Sequence, residues 1–258
     1  MNIHKKTVVT AIIFMLIAGT VPQVLSESNS GPSAEEAAIT IEDRTVTYVG
    51  KISDQNAEQL LNRVKGKNLT TLVINSGGGE INAGMKIGSW VFDNQIDVIV
   101  DGVCMSSCAN YVFPAGRFKT ITDGSIVAWH GSILLKSATS DAEVRRATTE
   151  AVHRLPERDQ QKLDLEEVIQ KATEQSREYQ ADSMKRQAEF FSKIGVDEYV
   201  CRIGMEEYGA ENFYILSVAD MARFGIQQVL APENYEQTDL TPLCEKKGKK
   251  IEVIKLRD

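Results

Sequence analysis

The stretch LTTLVINSGGGEINAGMKIGSWVFDNQIDVIV, from Leu69 to Val100, contains the pattern that decides the fold. Residues 69–74 form a continuous run of apolar and β-branched side chains, which is typical of a strand buried on both faces. Three glycines end this run, residues 81–92 have apolar side chains at helical spacing, and residues 96–100 form a second buried strand. A strand, a helix and a strand in this order predict a right-handed crossover between parallel strands.

The flanking sequence extends this pattern in both directions. Upstream, alternation between Ile39 and Val49 predicts short strands, and apolar spacing predicts a helix from Ser53 to Val64. Downstream we predict a helix at 104–115, strands at 120–121 and 125–129, and a helix–turn–strand at 215–229. The sequence therefore predicts an α/β domain with a parallel β-sheet and βαβ crossovers, made of residues 38–137 and 196–236.

Residues 138–195 have a different character. They are dense in Glu, Arg, Gln, Lys and Ala and poor in Gly, and Pro156 divides them. We interpret them as a long helical insertion of two helices, the second unusually exposed. Residues 237–258 read as a charged and peripheral C-terminal tail.

The first residues are typical of an export signal. Lys5 and Lys6 precede an apolar run from Val8 to Ala18, and small residues suited to cleavage follow. We predict a signal peptide at 1–26, cleaved after Ser26, a linker at 27–37 and a periplasmic location. The alternative is an uncleaved anchor, although the run is shorter than the about 20 apolar residues that span a bilayer.

Composition limits the function classes. The chain has 258 residues, 42% hydrophobic and 25% charged, with a net charge of −7 that becomes −9 once the two lysines of the signal are removed. This acidic balance, without a basic patch, argues against a nucleic-acid partner. Four cysteines in an oxidising compartment permit disulfides with three complete pairings, and the sequence does not choose among them. Cys104 and Cys108 lack a second pair of metal ligands, so we expect no metal and no cofactor.

Two strand-to-helix turns carry candidate chemistry. The first, Asn75 to Gly79, has glycines that leave backbone N–H groups uncovered for a phosphate or an oxyanion, although a merely tight turn explains it as well. The second, Gly102 to Ala109, offers Ser106 and Ser107 where a helix cap or a nucleophile fits equally. Both turns end neighbouring parallel strands, so both are expected at the crevice where such sheets bind ligands.

Histidine is scarce in this chain. The predicted mature part has two, and His153 lies among charged residues of the helical stretch, as expected of a solvated side chain. His130 ends the β-run Ile126 to Trp129 and precedes a glycine. If a histidine base exists, it is His130, although a buried structural histidine fits the same position.

Taken together, these features resemble the Clp protease and crotonase-like superfamily. The segment from Ile74 to Gly79, with Gly77 at the proline of the family motif, resembles the element that supplies an oxyanion amide. The match runs from about Ile39 to Gly131 and resumes from Leu216 to Gln227, and the Cys-flanked serine after a signal resembles an exported Clp-like branch.

The resemblance implies a ClpP/crotonase-like fold and an exported serine peptidase. Ser107 would be the nucleophile when counted back from Ala115-Gly116, and Ser106 when counted forward from Gly102; the first count is preferred. His130 would be the base. The amides of the glycine turn, at Gly78 and Gly79, and of Cys108 would hold the oxyanion.

The third member of the triad is where the chain departs from the family. No aspartate precedes Phe213 to Ser217 at the matching place, which leaves Glu211 as the candidate and Asn212 as a weaker one. A Ser–His dyad is a further alternative, and so is a catalytically silent binding or scaffold protein. A crotonase-like enzyme acting on another acyl substrate is the third reading of the fold.

The resemblance also indicates partners. A peptide or protein substrate is expected, and the helical insertion corresponds to the family's handle, which favours a homo-oligomer. No ATP-driven unfoldase is expected, because an exported chain lacks access to cytoplasmic ATP. A disulfide between Cys104 and Cys108 would make the nucleophile turn sensitive to redox state.

Overall fold

The computed structural model describes residues 36–135, 140–238, 240 and 248–257. The predicted signal peptide, most of the linker and Cys244 lie outside the described residues. The chain divides into a helical unit, which takes residues 133–185, and an α/β unit, which takes residues 31–132 and 186–258.

Most of the predicted strands and helices appear, but residues 213–216 form a strand where the sequence predicts a helix from 215, because they pair with residues 129 and 251–254. The strands are β1 (Ala38–Glu42), β2 (Thr45–Val49), β3 (Thr71–Ser76), β4 (Asp97–Met105), β5 (Lys119–Ile121), β6 (Ile126–Ala128), β7 (Phe213–Leu216), β8 (Val229–Leu230) and β9 (Ile251–Ile254). The α-helices are α1 (Asp54–Val64), α2 (Ile81–Asp93), α3 (Asp141–His153), α4 (Glu157–Gln160), α5 (Leu165–Ile194), α6 (Ile203–Glu206) and α7 (Val218–Arg223). A π-helix takes Cys108–Val112, and 3-10 helices take Glu198–Cys201 and Tyr235–Gln237.

The main sheet is parallel apart from one edge. Among the described residues it has seven strands in the order β1-β2-β3-β4-β5-β8, with β6 also paired to β4, and β1–β2 is its antiparallel pair. The α/β fold with βαβ crossovers is therefore confirmed. The order β3-β4-β6 brings the ends of three strands together, because β6 runs alongside the last residues of β4.

The two crossover helices form for the reasons that the sequence indicates. The Ser53 side chain caps α1 by accepting a hydrogen bond from the Asn56 N–H. Both helices bury apolar side chains at helical spacing against the sheet. These are Ala57, Leu60 and Val64 on α1 and Ala83, Ile87 and Val91 on α2.

The helix predicted at 104–115 is wrong at its start. Strand β4 continues through Met105, and the helix that follows is a π-helix. Its Phe113 N–H donates to the Cys108 carbonyl, a bond to the fifth residue back that holds one residue more per turn than an α-helix does. The strand runs on because its last residues pair with β6, a contact that no local pattern reveals.

The predicted peripheral tail contributes to the structure. Residues 251–254 form β9, which pairs in parallel with β7 as a second, two-stranded sheet in the described chain. Ile251 and Ile254 are buried. The charged residues around this short segment hide its apolar pattern in the sequence.

The helical unit contains α3, α4 and most of α5. Ser140 and Glu143 form a capping box at the start of α3. A depression of about 680 Å³ in this unit is lined mainly by charged side chains from 141 to 177. Two of its acids pair with arginines, Glu166 with Arg145 at 2.7 Å and Asp141 with Arg177, and such exposed pairs contribute little stability.

The last turns of α5 belong to the α/β unit. The boundary between the units therefore lies after residue 185, whereas the sequence predicted it at residue 195. The reason is packing: Phe190 and Phe191 are buried and contact the ring of Tyr111 in the π-helix. No helix among the described residues has the length and apolar character needed to cross a bilayer.

Close packing of α2 on the π-helix generates a prediction. A Cβ at Gly88 would overlap the carbonyl oxygen of Tyr111. We expect Gly88→Ala to lower the free energy of unfolding by about 1–3 kcal/mol, because extra atoms in a full interface force shifts. Urea denaturation of the purified chain measures this.

The control is Ser89→Ala, one position further along the same helix, which we expect to change the free energy of unfolding by less than about 0.5 kcal/mol. Equal stabilities for the two variants would contradict the packing described for α2 and the π-helix.

Candidate active site

The site forms where the turns after β3 and β4 meet the end of β6. The side chain of Asn75, in the first turn, accepts a hydrogen bond from Val103 N–H at 3.3 Å. The Ser106 N–H donates to the Ala128 carbonyl at 3.1 Å. These two bonds join the three strand ends and fix the second turn between the glycines and His130.

Ser106 and His130 are in direct contact. The Ser106 Oγ lies 2.6 Å from His130 Nε2, within hydrogen-bond distance. Ser106 has a φ of 55°, a left-handed conformation that is uncommon for a serine and turns its side chain out of the run of β4. Ser106 is partly exposed, whereas its neighbours Met105 and Ser107 are buried.

Ser107, the preferred nucleophile of the sequence analysis, has a different contact. Its Oγ donates to the Gly79 carbonyl at 2.7 Å, and the residue is 3% exposed. The two sequence counts differ by one residue, and a π-helix, which holds one residue more per turn than an α-helix, lies between the serines and Ala115.

The glycine turn has one amide that is engaged and one that is not. The Gly78 N–H donates to Ser76 Oγ at 3.1 Å, so of the two predicted oxyanion amides this one is occupied. The Gly78 carbonyl accepts a hydrogen bond from the Ile52 N–H, and the Glu80 N–H donates to the Ile52 carbonyl. These two bonds direct the amide of Gly79 away from Ile52. Gly79 is exposed, and its N–H has no hydrogen-bond partner within the described ranges.

Cys108, the other predicted oxyanion residue, is fully buried at the start of the π-helix. Its side chain forms a disulfide with Cys104, which spans the Ser106 turn. Cys201 is a free, buried thiol, and burial raises its pKa well above the ordinary value, as in unreactive cysteines.

The surroundings of His130 keep its ring neutral. Burial lowers the pKa of His130 below its ordinary value, and the positive charge of Lys249 lowers it further. The ring packs against Phe213, with 4.6 Å between the centroids. Sequence reasoning missed both contacts, since Lys249 lies in the segment interpreted as a tail.

The predicted acidic partner is not beside His130. Glu211 is exposed, and its backbone N–H bonds to the Glu252 side chain at 3.4 Å. Asn212 uses its side chain to accept from the Lys250 N–H. Within the described part of the chain, no carboxylate forms a hydrogen bond with His130.

Asn110 connects the two sides of the site and was not singled out by the sequence. Its backbone N–H donates to the Ser106 carbonyl at 2.8 Å, and its side chain donates to the Gly131 carbonyl at 3.0 Å. The residue is 4% exposed. It therefore joins Ser106 to Gly131, the residue after His130.

The residues present do not form a metal centre. Among those that the structure describes, no group of three His, Cys, Asp or Glu side chains lies close enough to hold an ion. The chemistry available at this crevice is that of a hydroxyl, an imidazole and backbone amides.

The described chain combines a mostly parallel α/β sheet with a Ser–His contact at the ends of its strands. The family model for Clp protease matches residues 33–195, so the chain belongs to the Clp protease family. The matched range contains both turns and His130. The resemblance stated from the sequence is thereby confirmed.

Solved structures are similar to smaller parts of the chain than the family model is. A ClpP1 mutant from Listeria monocytogenes is 19% identical with a TM-score of 0.32, covering 49% of this chain and 77% of its own. A protein named as an enoyl-CoA hydratase from Rhodopseudomonas palustris is 10% identical with a TM-score of 0.29, covering 40% of this chain and 52% of its own. The chain thus spans about half the length of the latter. None of the curated proteins matches it.

The disulfide across the Ser106 turn gives a second prediction. Reduction with a dithiol should lower the free energy of unfolding by about 2 kcal/mol, the value expected when a closed loop of this size is released in the unfolded chain. Denaturation with and without reductant measures the difference.

The control is the double variant Cys104→Ser/Cys108→Ser, whose stability should not respond to the reductant. Equal unfolding midpoints for the oxidised and reduced wild type would contradict a disulfide at this place.

Proposed function

We propose that the chain is an exported serine peptidase in which Ser106 is the nucleophile and His130 the general base. The observation that carries the proposal is the 2.6 Å separation between Ser106 Oγ and His130 Nε2. Family membership supports peptide-bond hydrolysis as the reaction, and the exposure of Ser106 supports access by a substrate.

The proposed chemistry uses a neutral His130. With its proton on Nδ1, the ring accepts the Ser106 hydroxyl proton at Nε2 as the oxygen attacks the peptide carbonyl carbon. The imidazolium then gives the proton to the leaving amine nitrogen, and water hydrolyses the acyl-enzyme by the reverse sequence. The lowered pKa of His130, caused by burial and by Lys249, favours the neutral form that begins the cycle.

The oxyanion would be held by two backbone amides. One is Gly79 N–H, which is exposed beside the nucleophile turn. The second follows the nucleophile along the chain, so with Ser106 as the nucleophile it is the amide of Ser107 instead of Cys108. Loss of one such donor costs ~10²–10³ in rate in known cases.

The cellular setting is part of the proposal. The N-terminal sequence supports export through a signal peptide into the periplasm, and the Cys104–Cys108 disulfide is compatible with an oxidising compartment. We propose a peptide or protein substrate and a homo-oligomer, as is usual in the family, and no ATP-driven unfoldase.

A second candidate is a catalytically silent binding protein on the same fold. The observation that favours it is the environment of His130, whose ring packs on Phe213 and has no hydrogen bond to a carboxylate of the described residues, whereas a triad has one.

A fluorophosphonate probe separates the two candidates. We expect one probe per chain on the mature protein, with an Ser106 Oγ–phosphorus bond formed, fluoride released and the hydroxyl proton taken by His130. Intact mass and peptide mapping measure the adduct. Ser106→Ala should abolish labelling, and His130→Ala should slow it by ~10²–10⁴, the usual contribution of a general base.

The matched control is Ser107→Ala, which should label within about tenfold of wild type because its hydroxyl bonds to Gly79. A folded wild type that takes up no probe, oxidised or reduced, would support the silent protein. Labelling that is lost in Ser107→Ala and kept in Ser106→Ala would overturn the assignment of the nucleophile.

Export has its own test. The full-length chain expressed with its natural N-terminus in a Gram-negative host should appear in the periplasmic fraction with Glu27 as its first residue. N-terminal sequencing and intact mass measure this. A membrane-bound product that retains residues 1–26 would favour the uncleaved anchor.

A further inference from the structure

The backbone sets the contact between His130 and Phe213. Trp129 and Tyr214 exchange both of their backbone hydrogen bonds, at 2.9 and 2.8 Å, as an antiparallel bridge. The next pair along such a bridge has no hydrogen bonds and brings its side chains closer together. His130 and Phe213 are that pair, which accounts for the 4.6 Å between their rings.

The second sheet brings a positive charge to the same place. Phe213 pairs with Ile251 across β7 and β9, and the Phe213 N–H donates to the Lys250 carbonyl at 3.1 Å. This pairing leaves Lys249 Nζ 5.6 Å from the centre of the Phe213 ring, in the range of a cation–π interaction. The segment after residue 247 thus reaches the histidine through Phe213.

The neighbouring charged groups of the described chain engage one another. Lys250 Nζ lies 3.2 Å from the Glu252 carboxylate, and the same carboxylate accepts from the Glu211 N–H. Burial lowers the pKa of His130, and the positive charge of Lys249 lowers it further. Ser106 is the hydrogen-bond partner of His130, and Phe213 covers its ring.

We propose that Phe213 and Lys249 are positioning residues for His130, whose ring has no hydrogen bond to a carboxylate of the described residues. Phe213 fixes the orientation of the imidazole by packing on it, and Lys249 anchors Phe213 and favours the neutral ring. The catalytic role of these two residues rests on the proposed function. The contacts among His130, Phe213 and Lys249 do not depend on it.

The consequence differs from that of a triad. A carboxylate stabilises the imidazolium that forms during reaction, and a lysine disfavours it. The site should therefore have a base that remains neutral at mildly acidic pH and an intermediate that receives less electrostatic support. Attack on a reactive probe should persist to lower pH than an ordinary histidine allows, and peptide turnover should be slow.

Nuclear magnetic resonance of the histidine rings tests the proposal without relying on activity. The mature chain has His130 and His153, so a His153→Gln variant assigns the His130 signals. We expect an NOE between the rings of His130 and Phe213. We also expect Lys249→Gln to raise the His130 pKa by about half a unit, as removal of a nearby screened charge does.

The matched control is Lys250→Gln, which removes a neighbouring lysine already paired with Glu252 and should leave the His130 titration unchanged. The acid limb of probe labelling should move to higher pH in Lys249→Gln and not in Lys250→Gln. Phe213→Leu should slow labelling at least tenfold, and Phe213→Tyr, which keeps a ring, should recover most of that loss.

The outcomes separate this inference from the proposed function. An absent NOE, or equal His130 titration in Lys249→Gln and wild type, overturns the positioning roles even if Ser106 is labelled. The expected NOE and shift in a chain that takes up no probe support the positioning contacts and overturn the peptidase.

Discussion

The close approach of two backbone turns at Gly78 is the constraint on which the site depends. A Cβ at this residue would lie 2.6 Å from Ser106 Cβ and 2.9 Å from Ser107 N, and its φ of 86° favours glycine. Because no side chain intervenes, the turn after β3 packs directly on the turn after β4. This contact brings the Gly79 carbonyl to Ser107 Oγ and leaves Ser106 Oγ free for His130.

The β-sheet supplies the other half of the arrangement. β4 pairs with β3 on one side and with β6 on the other, so the two turns and the histidine strand end together. The disulfide and Asn110 then restrain the serine turn from two directions, one by closing it covalently and one by bonding it to the residue after His130. A serine in a left-handed conformation needs such support.

The sequence predicted those parts of the structure that local patterns encode. The buried runs of β3 and β4, the spacing of α1 and α2 and the glycine turn after β3 all depend on near neighbours, and they appear as predicted, whereas β4 runs on through Gly102 to Met105. His130 could be singled out because histidine is scarce. The roles of Phe213 and Lys249 could not, since they depend on pairings of β7 with residue 129 and with β9 over long separations.

The choice between Ser106 and Ser107 illustrates the same limit. The two counts along the sequence differ by one residue, and the segment between the serines and Ala115 contains a π-helix, which holds one residue more per turn than an α-helix. The amino-acid sequence from Cys108 to Val112 does not indicate a π-helix. Burial of Ser107 and exposure of Ser106 become visible only when the turn is folded.

In the proposed roles of Phe213 and Lys249, packing supports the histidine in place of the charge-assisted hydrogen bond that a carboxylate gives. Packing fixes orientation without stabilising the imidazolium. The proposed site is therefore pre-formed for the first proton transfer and gives weak support to the charged intermediate.

A crystal structure of the mature chain after reaction with a fluorophosphonate tests the central claim most directly. Phosphorus should be bonded to Ser106 Oγ, with a phosphonyl oxygen about 2.7–3.1 Å from the Gly79 and Ser107 amides, the distances of an oxyanion hole. Phosphorus on Ser107, or an unmodified Ser106 turned away from His130, would contradict it.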